Sequence, residues 1–234
     1  PAYFVSGIRL AGSQNTSLYY NTINLSGHNL SAGSNYSAAM IISGSAFLGL
    51  TAKNNIFANT MTAMAGSKSY SVYVVSTGMS DISLDNNNYY AAGPYGAFGY
   101  MGGEIQNLSG WQTATLQDSN SISADPLFAG STDLRPLDNS PLIGAGSPIQ
   151  EITTDILGDS RSATAPTIGA YENSLAVGVP TLEQPANKST NVSLTPTLTW
   201  SSATYATGYG VQVSTDANFT TFVYNGTTTG LDHT

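Results

Sequence analysis

Charge is scarce in this chain, so the places where it gathers are the first candidates for chemistry. The densest stretch is "DILGDSRSATAPTIGAYE", which carries Asp155, Asp159, Arg161 and Glu172. Carboxylate oxygens are ligands that calcium accepts. The alternating Asp/Asn pattern and twelfth-position Glu of an EF-hand loop are absent. A structural use suits these residues better. Arg161 can hold a carboxylate through paired N–H···O bonds, and Asp155 or Asp159 can accept backbone N–H groups in the turn at Gly158. The cluster therefore reads first as a clasp on an irregular segment and second as a calcium site.

Acid–base chemistry finds little support. A glycoside hydrolase needs two carboxyl groups facing each other across a sugar, about 5 to 9.5 Å apart. Residues 1–80 contain no Asp or Glu, and Arg9, Lys53 and Lys68 are the only fixed cations there. His28, in the Gly/Ser loop "LSGHNLSAG", reads as a solvated side chain. Asp81, Asp85 and Glu104 are the next candidate acids, with Asp85 placed to cap a turn before an Asn corner. No spacing assembles a catalytic set. For binding, "YYAAGPYGAFGYMGG" offers Tyr90, Tyr95, Phe98 and Tyr100 among Gly and Pro. Aromatic faces stack on sugar rings and Tyr adds a hydroxyl, so this loop is the glycan-binding candidate. The alternative is that these rings cover the end of the fold, with Tyr89 inside it.

Composition narrows the setting. The 234 residues include 14 acidic and 6 basic side chains, a net charge of −8, and no Cys. Six scattered cations do not make the clustered basic surface that nucleic acid requires. Disulfides and thiolate metal sites are excluded. No run is long and apolar enough to span a membrane as a helix. A polar, weakly charged chain rich in Gly, Ser, Thr, Asn and Tyr suggests an all-β extracellular protein. The 41% hydrophobic content and regular β-type runs argue against disorder. The start at Pro1, without initiator Met or signal peptide, reads as a mature product or an excerpt from a longer protein.

The elements that position these residues repeat. "LYYNTINLSG", "LTAKNNIFANT" and "ISLDNNNYYAAG" align with Asn21, Asn54 and Asn87 in one column, each 33 residues from the next. Ile23, Ile56 and Tyr89 form the adjoining column. Upstream, "FVSGIRLAG", "SAAMIISG" and "YSVYVVSTG" end at Gly12, Gly44 and Gly78. Each unit is a β-run, a Gly turn, a second β-run and an Asn corner. Stacked as a coil, such units pair strands in parallel about 4.8 Å apart, with Ile8, Ile41 and Val74 along the interior. Asn tolerates the left-handed corner conformation, and an Asn column can satisfy corner amides as a ladder. Three hairpins in a sandwich are the alternative, but the tight Asn-Gly or Asp-Gly turns they favour are absent from residues 1–100.

These repeats resemble the right-handed parallel β-helix of the pectate-lyase-like superfamily. The downstream text resembles the closing segment of secreted bacterial members. It carries Trp111-Gln112, Gln117-Asp118 with Ser121, Asp125 to Phe128, Ser140 to Gly144 or Gly146, Asp155 to Arg161, and Ile168 to Glu172. The resemblance covers residues 1–173, about three turns of roughly 33 residues with a closing segment at 124–173. It implies that the charged cluster closes the last coil, with Ile168 and Tyr171 packed on it. The superfamily holds polysaccharide lyases, glycoside hydrolases and surface proteins, and fold does not choose among them.

Residues 174–181 read as a linker. In 182–234, Leu198 and Trp200 alternate, as do Tyr209, Val211 and Val213. This resembles the first half of a fibronectin type III-like domain, in which a Trp packs under a Tyr-x-Val-x-Val strand. A full sandwich needs about 100 residues, so this one is partial or takes a strand from a partner. The expectation is a non-catalytic structural or adhesive segment of a secreted or cell-surface bacterial protein. Its partners would be copies of itself, joined end to end as a filament, or a polysaccharide or cell-surface glycan. The competing readings are a lyase or hydrolase with catalytic turns upstream, and a glycan-binding module.

Overall fold

The computed structural model describes all residues except 1–3, 13, 29–35, 45–48, 63–65, 76–80, 174–177 and 204–205. The described chain is mostly strand, with one short helix. It divides into two compact units, Pro1–Ser174 and Leu175–Thr234.

In the first unit the chain makes repeated passes through three sheets. The first pass gives β1 (Phe4–Ala11), β2 (Ser17–Tyr19) and β3 (Thr22–Leu25). The second gives β4 (Tyr36–Ser43), β5 (Leu50–Lys53) and β6 (Ile56–Asn59), and the third β7 (Lys68–Val74), β8 (Ile82–Asp85) and β9 (Asn88–Ala91). A fourth begins with β10 (Gly96–Met101), which folds back as β11 (Glu104–Ile105) before helix α1 (Leu108–Thr115). Successive passes pair in parallel as β1-β4-β7-β10, β2-β5-β8 and β3-β6-β9, and the β10–β11 pair is antiparallel. Gly12 and Gly44 end their strands at positive φ, a conformation glycine adopts without a Cβ clash. Gly78 lies outside the described residues.

Register decides which side chains meet. Ile8, Met40 and Val72 form one inner column, and Leu10, Ile42 and Val74 the next. The expected column of Ile8, Ile41 and Val74 is therefore corrected: the three fall in three different columns, with Ile8 and Val74 inside but two register positions apart. Ile41 lies between Arg9 and Tyr73, in the cluster on the opposite face. A shift of one residue sends a strand side chain to the other face. The alternation also breaks here: Ala39 and Met40 both join the inner cluster, while Ala38 and Ile41 join the outer one. The same slip recurs in the third sheet, where Phe57 rather than Ile56 lies between Ile23 and Tyr89. Phe57 stacks on Tyr89 at 5.6 Å.

The third-pass end is closed by α1. Asn107 caps the helix by accepting from the Gly110 N–H at 2.9 Å, meeting one of its unsatisfied donors. The fully buried Trp111 packs beneath Tyr89 and Phe98. Residues 118–124 then run beside β8 and β9, with the Asp118 N–H on the Leu84 carbonyl and the Ile122 N–H on the Asn87 carbonyl.

The closing segment does not cap the last coil, as the sequence implied. It returns along the flank of β3-β6-β9. Ile168 and Leu142 pack on Ile56 and Ala58 of the second pass. The Ala170 N–H bonds Thr22 Oγ1 of the first pass at 2.9 Å, and the Tyr20 hydroxyl donates to the Ser147 carbonyl at 3.1 Å. At Gly169 a Cβ would lie 2.5 Å from Ile56 Cδ1, so the approach requires glycine.

The second unit has two antiparallel sheets. β12 (Leu182–Gln184), β13 (Leu198–Trp200) and β16 (Asp232–His233) make one; β14 (Tyr209–Val213) and β15 (Tyr224–Thr228) make the other. Trp200 packs against Tyr209 at 5.7 Å. An apolar cavity of about 550 Å³ opens beside Trp200, lined also by Leu198, Tyr209, Val211 and Phe219.

Candidate functional site

The charged cluster is built by two turns of the closing segment. Arg161 and Glu172 side chains are only 4% and 3% exposed, with Nη1 and Oε2 3.3 Å apart. The contact is single rather than paired, because the guanidinium has other acceptors. Nη2 donates to the Gly169 and Ala170 carbonyls at 3.1 and 3.2 Å, and Nε to the Thr154 carbonyl at 3.2 Å. Its carbon lies 3.8 Å above the Tyr20 ring, a cation–π geometry. Arg161 thus joins the closing segment to the first pass. Glu172 accepts from the backbone N–H groups of Ser162 and Thr167.

Asp155 accepts the N–H groups of Leu157, Asp159 and Glu172 at 2.8 to 2.9 Å. Burial pushes its carboxyl up, but these three amides and the Arg161 charge outweigh it, so the net shift is downward. Asp159 takes part through its backbone, whose carbonyl accepts from the Asp155 N–H. Its side chain is exposed. Asp155 and Glu172 oxygens face N–H donors, an arrangement that satisfies an anion and leaves little for a cation. Among the described residues, no three His, Asp or Glu side chains come together to hold a metal ion.

The Asn column differs by one residue from the expected one. Asn55 Oδ1 accepts from the Asn21 N–H and Nδ2, both at 2.9 Å. Asn87 Oδ1 accepts from the Asn55 N–H at 3.0 Å and Nδ2 at 2.9 Å. The steps are 34 and 32 residues, so a uniform 33 selects the wrong neighbour of the Asn pair. Asn54 is left-handed at φ 59° and has another role: it exchanges two hydrogen bonds with the Ser147 backbone, at 2.7 and 2.9 Å.

The column ends on a group that sequence reasoning did not single out. Asp118 accepts from Trp111 Nε1 at 2.7 Å, the Tyr89 hydroxyl at 3.0 Å, Asn87 Nδ2 at 3.3 Å and the Ser121 hydroxyl. Its own carbonyl accepts from Gln112 Nε2 at 2.7 Å. Desolvation raises its pKa, and the four side-chain hydrogen bonds only partly offset that. The Gln-Asp-x-x-Ser motif signals this hub, since its Ser121 also takes the Asn87 N–H at 2.8 Å.

The other candidate acids are apart. Asp85 accepts from the Asn120 N–H and Nδ2, both at 2.8 Å. Glu104 lies 3.3 Å from Lys68. Asp81 is an exposed turn residue at positive φ. His28 contacts the Thr62 hydroxyl.

The four proposed glycan-binding rings do not form one site. Phe98 is 8% exposed and belongs to the core, which overturns its assignment as a stacking surface. Tyr90 bonds Asp125 at 2.9 Å and packs with Leu142 and Ile168 on the flank. Tyr95 lies in the turn before β10, and its carbonyl accepts from the Ser69 N–H. Tyr100 joins a patch missed in the sequence, formed with Tyr36, Tyr70 and Tyr73 on the outer face of β4, β7 and β10. Tyr73 stacks on Tyr36 at 4.2 Å and on Tyr100 at 4.5 Å, and Tyr70 meets all three edge-on. Burial first, then neighbouring phenols, pushes Tyr73 up to about 12. Unequal loops bring these tyrosines together, so no fixed repeat picks them out.

In the second unit, Trp200 Nε1 is buried without a hydrogen-bond partner. Comparison with protein-family models, curated proteins and solved structures found no match to this chain.

Proposed function

We propose that residues 1–173 are a right-handed parallel β-helix of the pectate-lyase-like type, serving as a non-catalytic structural or adhesive element of a secreted or cell-surface bacterial protein. One observation carries this reading. Four of the side chains that the sequence offered for chemistry are engaged by their own fold: Asp155 by three amides, Arg161 by three carbonyls and Glu172, and Asp85 by Asn120. Residues 182–234 fit part of a fibronectin type III-like sandwich, supported by Trp200 beneath Tyr209. The test is incubation of the purified chain with acidic and neutral polysaccharides. The expected result is no unsaturated or reducing sugar; release of either overturns the reading.

A second reading, glycan binding, is favoured by the partly exposed tyrosine patch. Its rings stack on one another, so hydroxyls and edges, rather than free faces, would meet a sugar. Tyr73→Ala and Tyr100→Ala should abolish retention on immobilised glycans, and unchanged retention removes it.

A further inference from the structure

Asp159 is the member of the charged cluster whose side chain the clasp does not use, and it lines a cavity in the closing segment. Two hairpins and a strap build that cavity. In the first hairpin Phe128 pairs antiparallel with Pro136, the Ala129 N–H bonds the Arg135 carbonyl at 2.8 Å and the Gly130 N–H bonds the Asp133 carbonyl at 3.0 Å. In the second, Thr154 pairs antiparallel with Ser160, and the turn between them carries Leu157 and Asp159. Residues 171–173 are the strap, tied to both. Asn173 Nδ2 donates to the Pro136 carbonyl at 2.9 Å and to Asp138 Oδ1 at 3.2 Å, and the Glu172 N–H donates to Asp155 Oδ2 at 2.9 Å. About 390 Å³ opens among the three segments, within the range of about 300–1,000 Å³ in which proteins hold small organic ligands.

The polar groups lining it are of both kinds, and the fold leaves them spare. Arg135 gives Nε and Nη2 to Asp133, so Nη1 keeps its N–H groups for another acceptor. Asp138 uses one oxygen on Asn173 and keeps the other. Among the described residues, no hydrogen bond engages the Asp159 carboxylate or the Tyr171 hydroxyl. Asp155 and Glu172, close by, have theirs filled by backbone N–H groups. Leu137 and Leu157, 47% and 63% exposed, add apolar walls.

We propose that this cavity binds a single non-acidic sugar unit of a glycan. The site is separate from the tyrosine patch, and its occupancy rests on neither reading above. A pyranose presents hydroxyls, each a donor and an acceptor, around a ring with apolar C–H faces. Asp138 and Asp159 accept from those hydroxyls in charge-assisted bonds. Arg135 Nη1 and the Tyr171 hydroxyl donate to them, and the Tyr171 ring and the two leucines meet the C–H faces. Charge then selects among sugars. Asp133 neutralises Arg135, so Asp138 and Asp159 leave the cavity negative, in a chain of net charge −8. A uronate carboxylate placed there meets like charges, whereas a neutral or amine-bearing ring does not. The bonds of the strap to both hairpins hold the walls in place beforehand, which lowers the ordering cost of binding.

Saturation-transfer NMR on the full chain tests this, with D-glucose, D-galactose, D-mannose, D-glucosamine and D-galacturonate as probes. Saturable binding of at least one of the non-acidic sugars is expected, and none of galacturonate. Asp159→Asn should weaken binding about tenfold, the size of one hydrogen bond to a charged group, and Tyr171→Phe should weaken it by a smaller factor. Neither oxygen is bonded within the described chain, so both variants should melt with the parent. Tyr73→Ala, in the separate patch, should leave monosaccharide binding unchanged. No saturable binding across the panel overturns the proposal. So does galacturonate bound as well as the other sugars, or binding that survives Asp159→Asn combined with Tyr171→Phe. Binding lost in Tyr73→Ala and kept in Asp159→Asn belongs to the tyrosine patch and overturns this site alone. None of these outcomes depends on sugar release, so this proposal and the structural reading fail separately.

Discussion

Asp118 at the helix-capped end and Asp155 in the clasp are both buried aspartates, 1% and 9% exposed, yet folding moves their pKa values in opposite directions. Asp118 is satisfied by side-chain donors, Ser121, Trp111, Asn87 and Tyr89, and desolvation wins. Asp155 is satisfied by three backbone amides with Arg161 near, and those outweigh its burial. Both sites are well hydrogen-bonded. The difference lies in the nearby cation and in amides held by tight turns, which favour the ionised form most.

The largest test of this contrast is Arg161→Ala. It leaves Glu172 buried without its cation and removes the donor from three carbonyls, so denaturant unfolding should show a loss of about 3–5 kcal/mol. It should also raise the Asp155 pKa, followed by carboxyl NMR titration. An Asp155 value unmoved by Arg161→Ala would mean the amides alone set it. Next is Asp118→Asn, which keeps the shape but turns an N–H₂ toward Trp111 or Asn87. A cost of about 1–3 kcal/mol follows from the unsatisfied buried donor.

A smaller effect is the pH response. The raised Asp118 pKa adds stability that is fully present below the ordinary aspartate value and is lost as pH rises through the raised one. The lowered Asp155 pKa adds stability that is present above the ordinary value and is lost as pH falls through the lowered one. Melting curves of Asp118→Asn should lose the first dependence and those of Asp155→Asn the second. If both variants flatten the same limb, the contrast is wrong. The smallest effect belongs to Lys68→Ala, at an exposed pair where about 0–1 kcal/mol is expected, vanishing in high salt.

Much of the architecture was legible in the residues. Gly12, Gly44 and the Asn-rich corners mark where strands end, and the run of β-type segments carries the parallel stacking. Register was not legible, because turns of unequal length alternate steps of 34 and 32 residues. Each "NN" pair then offers two candidates one residue apart; Asn54 and Asn55 are both fully buried, and only the left-handed backbone of Asn54 and its Ser147 partner set it apart from the column member Asn55. Arg161 with Glu172 was legible as a clasp, since few other charges compete. The path of the closing segment was not: contacts such as Ile168 on Ile56 depend on which flank is left apolar, a property of three sheets together. The tyrosine patch was hidden for the same reason, with members on three strands separated by unlike loops.

The bond from the Ala170 N–H to Thr22 spans 148 residues, which has a consequence for the order of events at the ribosome. Each pass needs only the next one to pair, so the sheets can assemble as the chain emerges. The flank beside Tyr20 and Thr22 must wait for the closing segment. At about 5–20 residues per second, that flank stays uncovered for roughly 7 to 30 s after its own synthesis. A nascent chain halted before Arg161 should therefore present the outer face of Ile56 and Ala58 to proteases and chaperones, and one released after Glu172 should not.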